Sequence, residues 1–191
     1  IEVRATRGQG YKLTRGFEAL NAIAIAGRLE QLGCFEISSI DSEIVTDSTN
    51  DRLISILSEK DIHGYVLLAE YQTAGRGRRG DRWLSPPGTG LCLSLGWRFD
   101  SPPPTFSALS LVPGLAIAES LSAVGVTGLG LKWPNDIMCG GGKLAGILIE
   151  MRSESGGAST AVIGVGINVR LSNEARKLID QPVSDIASNS K

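Results

Sequence analysis

Three strand-like apolar segments follow one another in the last third of this sequence, with no helical pattern between them. They occupy residues 129–133, 143–151 and 161–169, and the third carries apolar side chains at every second position. This alternation is typical of a strand, and strands that are consecutive in sequence favour an antiparallel or mixed sheet over a doubly wound parallel sheet. The sequence therefore predicts an α+β fold, with helices packed on a mixed, largely antiparallel sheet.

Hairpin, helix and strand patterns precede these segments. Glycines at 8 and 10 predict a hairpin turn, and Asn21 and Gly33 predict the two ends of a helix. Pro113 should kink or restart the longest helix, because proline lacks a backbone N–H. The predicted elements are a hairpin at 1–13, helices beginning at 21 and at 48–51, strands at 65–70 and 91–99, and a helix at 105–124. The tail from 171 to 191 is polar, and its pattern leaves its structure open.

Composition excludes several classes of protein. The chain has 191 residues, of which 42% are hydrophobic, so it can bury a core and is not a disordered protein. Its 19 basic and 20 acidic residues give a net charge of −1, so no general basic field attracts nucleic acid or a membrane. No apolar stretch reaches the length of a membrane span. Any cationic site must therefore be local.

Cysteine usage and the first residues indicate the compartment and the extent of the chain. Cys34, Cys92 and Cys139 have no CxxC spacing, so they indicate neither a disulfide framework nor a zinc site. We expect a reduced, cytoplasmic compartment. The chain begins at Ile1 in strand-like alternation, without a signal peptide. We interpret it as a piece of a longer protein, with a boundary near Gly16.

The densest charge lies in a glycine-rich loop, residues 75–83 (GRGRRGDRW), directly after a predicted buried strand. Four arginines and one aspartate give it a local charge of +3. Guanidinium forks suit phosphate or carboxylate, and we expect the loop to repel itself when empty and to order around an anion. The alternative is a solvated basic loop. Trp83 argues against that alternative, as does the position after a strand, where ligand loops lie.

Two further motifs place polar groups where strands begin or end. In residues 132–136 (KWPND), Pro134 ends a strand and leaves Asn135 and Asp136 at a turn, where a carboxylate could meet a metal bound to phosphate. Lys143 follows three glycines at the start of a strand and could reach into a cleft. The simpler explanations are an Asn-Asp turn after proline and an edge lysine beside a hairpin turn.

Other chemistries are not supported by their sequence context. The glycines at 75, 77 and 80 satisfy the dinucleotide pattern G-x-G-x-x-G, but the prolines at 86 and 87 forbid the helix that this pattern must open. No lysine followed by serine or threonine completes a Walker A motif after Gly130. His63, the single histidine, lies in a predicted exposed loop without an evident partner. A Ser-His or Cys-His nucleophile is therefore not expected, nor is a metal centre built on histidine or cysteine.

Together, these motifs resemble those of the biotin protein ligases. The shared features, in the family's order and spacing, are EYQTA at 70–74 with the GRGRRG loop and Trp83, KWPND at 132–136, GKLAGILIE at 142–150 and GVGIN at 164–168. The resemblance runs from about residue 40 to residue 169. It implies a catalytic domain of the class II aminoacyl-tRNA synthetase and biotin ligase type over residues 17–191, truncated at its C-terminus. It also implies that residues 1–16 are the wing hairpin and linker of an N-terminal winged helix-turn-helix.

The resemblance implies a two-step reaction and its partners. Biotin and ATP, with Mg²⁺, give biotinyl-5′-AMP, and the biotinyl group then passes to one lysine of a biotin carboxyl carrier protein. The bifunctional class also represses biotin synthesis genes, binds operator DNA through an N-terminal domain expected to precede Ile1, and forms a homodimer when the adenylate is bound. Two alternatives stay open. One is a lipoate–protein ligase, which the arginine loop argues against, and the other is a biotin-sensing repressor domain without turnover.

The resemblance further implies the site residues. Lys143, Arg78 and Asp136 would be catalytic, with Lys143 bridging carboxylate and phosphate and Asp136 holding the metal. Biotin would be bound by Ser48, Thr49, Asn50, Gln72, Arg76, Gly77, Arg78 and Lys143. ATP and the adenylate would be bound by Arg78, Arg79, Trp83, Lys132, Asn135 and Asn168, with Trp83 packing on the adenine. Ser48 or Thr49 could equally be helix caps.

Two positions depart from the family's pattern. Asp81 stands where the family often has a basic residue, which lowers the charge of the loop and should weaken its hold on the adenylate. Pro113 interrupts a helix that is usually continuous.

Overall fold

The fold combines one seven-stranded sheet, a separate hairpin and five α-helices among the residues that the structure describes. The computed structural model describes residues 3–13, 18–101, 105–153 and 157–190. The strands are β1 (Val3–Thr6), β2 (Gly10–Leu13), β3 (Ser39–Thr46), β4 (Tyr65–Gln72), β5 (Gly90–Phe99), β6 (Leu129–Lys132), β7 (Asp136–Cys139), β8 (Gly142–Ser153) and β9 (Ser159–Asn168). The helices are α1 (Ala22–Gln31), α2 (Thr49–Leu57), α3 (Phe106–Leu109), α4 (Leu111–Ala123) and α5 (Asn173–Lys177).

The large sheet has the strand order β3-β4-β5-β9-β8-β7-β6. Only β3 and β4 are parallel, and all other neighbours pair antiparallel. The last strand in sequence, β9, lies in the centre between β5 and β8, and each of its residues is buried. The prediction of an α+β fold with a mixed, largely antiparallel sheet is confirmed.

The two faces of β9 carry side chains of different size. The odd-numbered positions from 161 to 167 are alanine, isoleucine and valine, and they form the main core with Leu109 of α3 and Ile117 of α4. On the opposite face, Val162 packs with Leu53 of α2. The next two positions on that face, 164 and 166, are glycines. Because glycine has no side chain, the sheet leaves open space on its α2 side.

The residues predicted to begin and end helices do so. Asn21 Oδ1 accepts a hydrogen bond from the N–H of Ala24 at 3.0 Å at the start of α1, and the Ser48 hydroxyl caps α2. Gly33 follows α1 with a φ of 74°, in the left-handed region that favours glycine. Among the described residues, no helix combines the length and the apolar composition that crossing a membrane requires.

The long helical segment breaks before Pro113. Helix α3 ends at Leu109 and α4 begins at Leu111, after the buried Ser110. Pro113 thus lies in the first turn of α4, where backbone N–H groups have no partner within the helix and a missing N–H carries little cost. The prediction that proline restarts this helix is confirmed. The Ser110 hydroxyl donates to the Pro134 carbonyl at 2.6 Å. This hydrogen bond connects the start of α4 to the KWPND turn.

Some elements had no sequence prediction, and one predicted boundary lies outside the described residues. β3 and β7 were not anticipated, nor was the tail, which carries α5 and a 3₁₀ turn at Ile186–Ser188. The predicted hairpin is present as β1 and β2. The boundary expected near Gly16, between residues 1–16 and 17–191, falls where the structure describes nothing.

Tyr65 should make stability pH-dependent at alkaline pH. Burial and a hydrogen bond from its hydroxyl to Asp41 raise the pKa of Tyr65 from 10.0 to about 12. A group whose pKa is raised by folding stabilises the folded state below its unfolded pKa, and this contribution is lost as the pH rises through the folded pKa. Between pH 10 and about 12, we expect the free energy of unfolding to fall more steeply in the parent than in Tyr65→Phe, measured by urea unfolding at each pH. The exposed Tyr11→Phe is the matched control, and equal slopes in Tyr65→Phe and the parent would contradict the assignment.

Candidate functional site

The candidate site lies on the α2 side of the sheet, above a floor of small residues. The strand register aligns two rows across β5, β9 and β8, one of Cys92, Gly166 and Gly146 and the other of Ser94, Gly164 and Leu148. Because side chains alternate along a strand, these glycines share one face while the large core residues occupy the other. A cavity of about 150 Å³ lies above the floor, between the start of α2 and the loop at 75–83.

Most of the predicted site residues line this cavity. They come from four stretches of chain: the start of α2, the end of β4 with the loop after it, the KWPND turn, and the start of β8. The predicted residues at its wall are Ser48, Thr49, Asn50, Gln72, Arg76, Gly77, Arg78, Trp83, Asn135, Asp136 and Lys143. Motifs that are far apart in the sequence therefore meet at one place.

Neutral hydrogen-bonding groups line one end of the cavity. Gln72 Oε1 accepts from the backbone N–H of Thr49 at 2.8 Å and from its hydroxyl at 3.1 Å. The Ser94 hydroxyl lies 2.7 Å from Thr49 Oγ1 and 2.6 Å from Asn50 Oδ1. Thr49 and Asn50 are each 3% exposed, so packing fixes their polar atoms in place. A buried and preorganised set of this kind suits a neutral polar ligand.

A charged cluster adjoins this neutral end. Asn50 Nδ2 donates to Glu150 Oε2 at 2.8 Å, and Arg76 Nη2 donates to the same oxygen at 2.8 Å. Arg76 Nε also donates to Asp51 at 3.2 Å. Burial alone would lower the pKa of Arg76, but its hydrogen bonds to Asp51 and Glu150 raise that pKa above its ordinary value. Two carboxylates of the protein thus balance the charge of Arg76.

Protein groups account for the conformation of the arginine loop. The N–H of Gly77 donates to the Asp81 carbonyl at 2.7 Å, and the N–H of Trp83 donates to the Gly75 carbonyl at 2.9 Å. Arg76 is anchored by the two carboxylates described above. The expected self-repulsion of the loop is therefore partly offset within the protein.

The opposite end of the cavity is cationic. Lys143 Nζ lies 2.8 Å from Asp136 Oδ1, and both side chains are less than one fifth exposed. Arg78 Nη1 donates to Asn135 Oδ1 at 3.3 Å, and Asn135 Nδ2 donates to the Ile147 carbonyl at 2.8 Å. A fixed lysine beside an arginine can bind a phosphate or a carboxylate. The arginine loop, the KWPND turn and the GGGK lysine converge here.

Trp83 lies against the glycine floor between the two ends. A Cβ at Gly166 would meet the indole ring at 2.2 Å, and one at Gly146 would meet it at 3.2 Å. Lys143 Nζ is 5.7 Å from the ring centroid, within cation–π range. Glycine at these floor positions is thus required by the aromatic ring above them.

Three of the predicted residues do not line the cavity. Arg79 is exposed on the loop with a φ of 56°, and Lys132 is exposed at the end of β6. Asn168 is buried, and its Nδ2 donates to the Lys143 carbonyl at 3.2 Å. Asn168 therefore contacts the backbone that carries Lys143, while Arg79 and Lys132 are exposed outside the cavity.

Several residues of the site were missed in the sequence. Ser94, Glu150 and Asp51 complete the hydrogen-bond network, and Gly146 and Gly164 form the floor. A signal was present for the glycines, since glycine inside an apolar strand often marks the close approach of another group. No local pattern distinguishes Ser94 or Glu150 from ordinary strand residues, because their partners come from distant parts of the chain.

His63 is exposed, as predicted, and its contacts in the structure are with a backbone group and an aromatic ring. Its Nδ1 accepts from the backbone N–H of Arg98 at 3.1 Å, and its ring lies 4.5 Å from that of Trp97. Among the residues that the structure describes, no three or more His, Cys, Asp or Glu side chains are grouped to hold a metal ion. Asp136 is the carboxylate that faces Lys143 in the cavity.

The sequence and the fold are both similar to known proteins. The model of the biotin/lipoate A/B protein ligase family matches residues 43–168. The bifunctional ligase/repressor BirA of Escherichia coli (strain K12) is 39% identical over 181 residues, which cover 95% of this chain and 54% of that protein. The biotin–[acetyl-CoA-carboxylase] ligase of Mycobacterium tuberculosis is 45% identical over 135 residues, or 68% of this chain and 49% of that protein. The chain thus spans about half the length of these curated relatives.

Solved structures with the same fold include a complex that contains two small molecules. The biotin protein ligase from Aquifex aeolicus in complex with biotin and ATP is similar with a TM-score of 0.63 and 29% identity. The similarity covers 79% of this chain and 60% of that chain.

Proposed function

This chain belongs to the biotin/lipoate A/B protein ligase family, and on that premise we propose that it is the catalytic domain of a biotin–protein ligase. The proposed reaction joins biotin and ATP to biotinyl-5′-AMP with release of pyrophosphate. It then transfers biotin to a lysine of a biotin carboxyl carrier protein with release of AMP. The names of the relatives and the similar complex with biotin and ATP support this assignment.

One observation carries the proposal: a single cavity has a neutral hydrogen-bonding end and a cationic end. In the first step, a carboxylate oxygen attacks the α-phosphorus of ATP, the bond to the bridging oxygen breaks, and pyrophosphate leaves. Two anions must approach each other, so positive charge held in place lowers the barrier. Lys143 supplies part of that charge from a position held by Asp136, and the exposed Arg78 adds to it beside Asn135.

The neutral end suits the ring system of biotin, which is uncharged and carries both hydrogen-bond donors and an acceptor. Thr49, Asn50 and Gln72 would pair with it, and Ser48 would combine this role with capping α2. Arg76 and Gly77 would cover the ring from the loop side. The carboxylate of biotin would then extend toward Lys143, at the other end of the same cavity.

The adenylate would lie at the cationic end, against the loop. Arg78 and Asn135 would contact its phosphate, and Trp83 would pack on the adenine. Arg79, Lys132 and Asn168 stay predictions for adenylate binding, and we assign them no direct contact because none lines the cavity.

The residues at the cationic end also fit Mg²⁺. This ion is usually held by one or two carboxylates together with the phosphates of the substrate, and Asp136 offers one carboxylate beside Lys143. When bound, Mg²⁺ would offset the negative charge of the ATP phosphates.

We further propose roles that belong to the whole protein. Residues 1–16 would be the wing hairpin and linker of a winged helix-turn-helix, and the full-length protein would bind operator DNA, repress biotin synthesis genes and dimerise with the adenylate bound. A cytoplasmic location follows from these roles. The support is the β1–β2 hairpin and the similarity to bifunctional ligase/repressor proteins over 95% of this chain.

Pyrophosphate release tests the proposed function. The chain is incubated with ATP and Mg²⁺, together with biotin, with lipoate or with no acid, and adenylate is detected by mass spectrometry. We expect pyrophosphate release in the incubation with biotin, and none with lipoate or without an added acid. Release with lipoate would identify a lipoate ligase, whereas biotin binding without release would identify a sensor domain. If neither acid binds, the proposal is wrong for this chain.

Arg78→Gly should shorten the residence of the adenylate and leave biotin binding measurable. The substitution removes one charged hydrogen-bond donor at the cationic end, which is worth about 10–100-fold in the dissociation rate. The measurement is dissociation of preformed biotinyl-5′-AMP by stopped-flow tryptophan fluorescence, with biotin affinity measured by calorimetry. An unaltered dissociation rate would remove Arg78 from the adenylate site.

A further inference from the structure

We propose that the tail segment, residues 181–185, holds Lys143 in its working position, with Asp185 and Arg176 as positioning residues for the reaction proposed above. This inference rests on the proposed function. It adds to the site a part of the chain that lies beyond the family match at 43–168.

The tail takes the place of a sheet neighbour at Lys143. Pairing between β8 and β9 begins only at Ala145, so regular pairing with β9 does not reach Lys143. On its other side Lys143 is aligned with Met138 of β7, directly after a shift in register between Ile137 and Met138. On the side where β9 has no partner for it, Lys143 forms a parallel bridge with Val183 of the tail.

Both backbone groups of Lys143 are held by this bridge. Its N–H donates to the Pro182 carbonyl at 2.9 Å, and its carbonyl accepts from the N–H of Ser184 at 2.9 Å. Asn168 Nδ2 donates to the same carbonyl at 3.2 Å. These three hydrogen bonds therefore orient the backbone of Lys143, the residue of β8 whose side chain enters the site.

The approach of the tail to β8 is very close. At Gly142, the residue before Lys143, a Cβ would lie 2.5 Å from the Val183 carbonyl carbon and 2.8 Å from the Ser184 nitrogen. The tail also reaches the site itself, because Gln181 lines the cavity. The glycine before Lys143 thus serves the packing of the tail as well as the preceding turn.

A buried ion pair holds the tail in this position. Asp185 is 1% exposed and accepts from the backbone N–H groups of Leu171 at 2.8 Å and Ser188 at 2.9 Å. Arg176 pairs with Asp185, and its Nη1 donates to the Val183 carbonyl at 3.1 Å. Burial would raise the pKa of Asp185, but the bonds from Ser188 and Leu171 and the charge of Arg176 lower it. The carboxylate of Asp185 therefore stays ionised at neutral pH, and its ion pair with Arg176 holds the tail segment in place.

Asp185→Asn is the main test, with Asp180→Asn as matched control, because Asp180 is an exposed carboxylate of the same tail. An amide of the same shape turns a donor toward the Arg176 guanidinium, which should loosen the segment. Misplacing a reacting group by about 1 Å costs about 10²-fold. We expect kcat for adenylate formation to fall by about that factor in Asp185→Asn, with a much smaller change in biotin affinity. Asp180→Asn should match the parent, and an unchanged kcat in Asp185→Asn would overturn the inference.

Amide hydrogen exchange supplies a readout that does not depend on turnover. Exchange at Lys143 and Ser184, whose N–H groups form the bridge, should quicken in Asp185→Asn, while exchange within β9 stays as slow as in the parent. Faster exchange throughout β9 would show general destabilisation. In that case Arg176→Gln, which keeps both backbone bonds to Asp185, is measured in its place. Unchanged exchange at Lys143 and Ser184 in a folded variant would overturn the inference, whether or not the chain is active.

A double-mutant cycle tests whether Asp185 acts through Lys143. Groups that act as a unit are not additive, so Asp185→Asn should cause no further loss of rate in a Lys143→Ala background. A second loss of about 10²-fold there would show an independent route and contradict the inference. A parent chain that forms no adenylate would count against the proposed function, and the exchange measurements would still decide the role of the tail.

Discussion

Lys143→Ala should slow adenylate formation by about 10²–10³-fold, the scale for losing one charge-stabilising donor. Lys143 is the lysine of the cavity, is held by Asp136 at 2.8 Å and lies 5.7 Å from the centre of the Trp83 ring. Biotin binding should weaken but stay measurable, because Lys143 faces only the carboxylate of biotin and the neutral end of the cavity is unchanged. The measurement is single-turnover formation of biotinyl-5′-AMP.

The matched control is Lys177→Ala, which removes an exposed lysine at the end of α5. It should form adenylate at the parent rate. An equal rate in Lys143→Ala would mean that Lys143 is no more than a residue beside a turn, and that Arg78 alone supplies the charge.

Gly164→Ala should both destabilise the fold and weaken biotin binding. A Cβ at this floor position would lie 2.3 Å from Asn50 Oδ1 and 2.9 Å from its Cγ. Asn50 is buried and bonded to Ser94 and Glu150, so it cannot move without breaking those bonds. We expect a loss of about 1–3 kcal/mol in the free energy of unfolding. Biotin affinity should fall about tenfold or more. Urea unfolding and calorimetry provide the two measurements.

Gly130→Ala is the control for the added methyl group. Gly130 lies in β6 of the same sheet, and a Cβ there would meet nothing within 4 Å. Its stability should stay near that of the parent, and its affinity for biotin should be unchanged. If Gly164→Ala bound biotin as the parent does, Asn50 would have no part in the neutral pocket.

Strands with a clear pattern of apolar side chains could be predicted from the sequence, and strands without such a pattern were missed. β9 carries apolar side chains at every second position from Ala161 to Ile167, and helix caps such as Asn21 and Ser48 are read from single residues. β3 lies at the edge of the sheet and is largely exposed, so its polar residues hide the pattern. The tail gave no periodic signal, because it is held by one buried ion pair and backbone contacts.

The site could be predicted as far as its residues lie in short motifs. The arginine loop, the KWPND turn and the GGGK lysine each attracted attention through their local chemistry. Ser94 and Glu150 did not, since their roles arise from contacts with Asn50 that span 44 and 100 positions of sequence. Such contacts depend on strand register, which no local pattern specifies. Arg79 and Lys132 do not line the cavity, and their roles in adenylate binding stay predictions.

The central position of β9 has a consequence for how the chain folds. Its two neighbours are β5 and β8, and the register joins Gly90 to Asn168. The sheet therefore cannot be completed until most of the chain has been synthesised. The pairing of β5 with β9 joins residues that are far apart in the sequence, so it has a high contact order. Folding dominated by such non-local pairing is slow, on the order of milliseconds to seconds. During that interval β5 presents an unpaired edge, whereas β8 pairs with β9 locally across the short connection between Ser153 and Ser159. We expect aggregation to compete with folding at this stage, so that yield depends more on chain concentration and temperature during synthesis than on the stability of the finished protein.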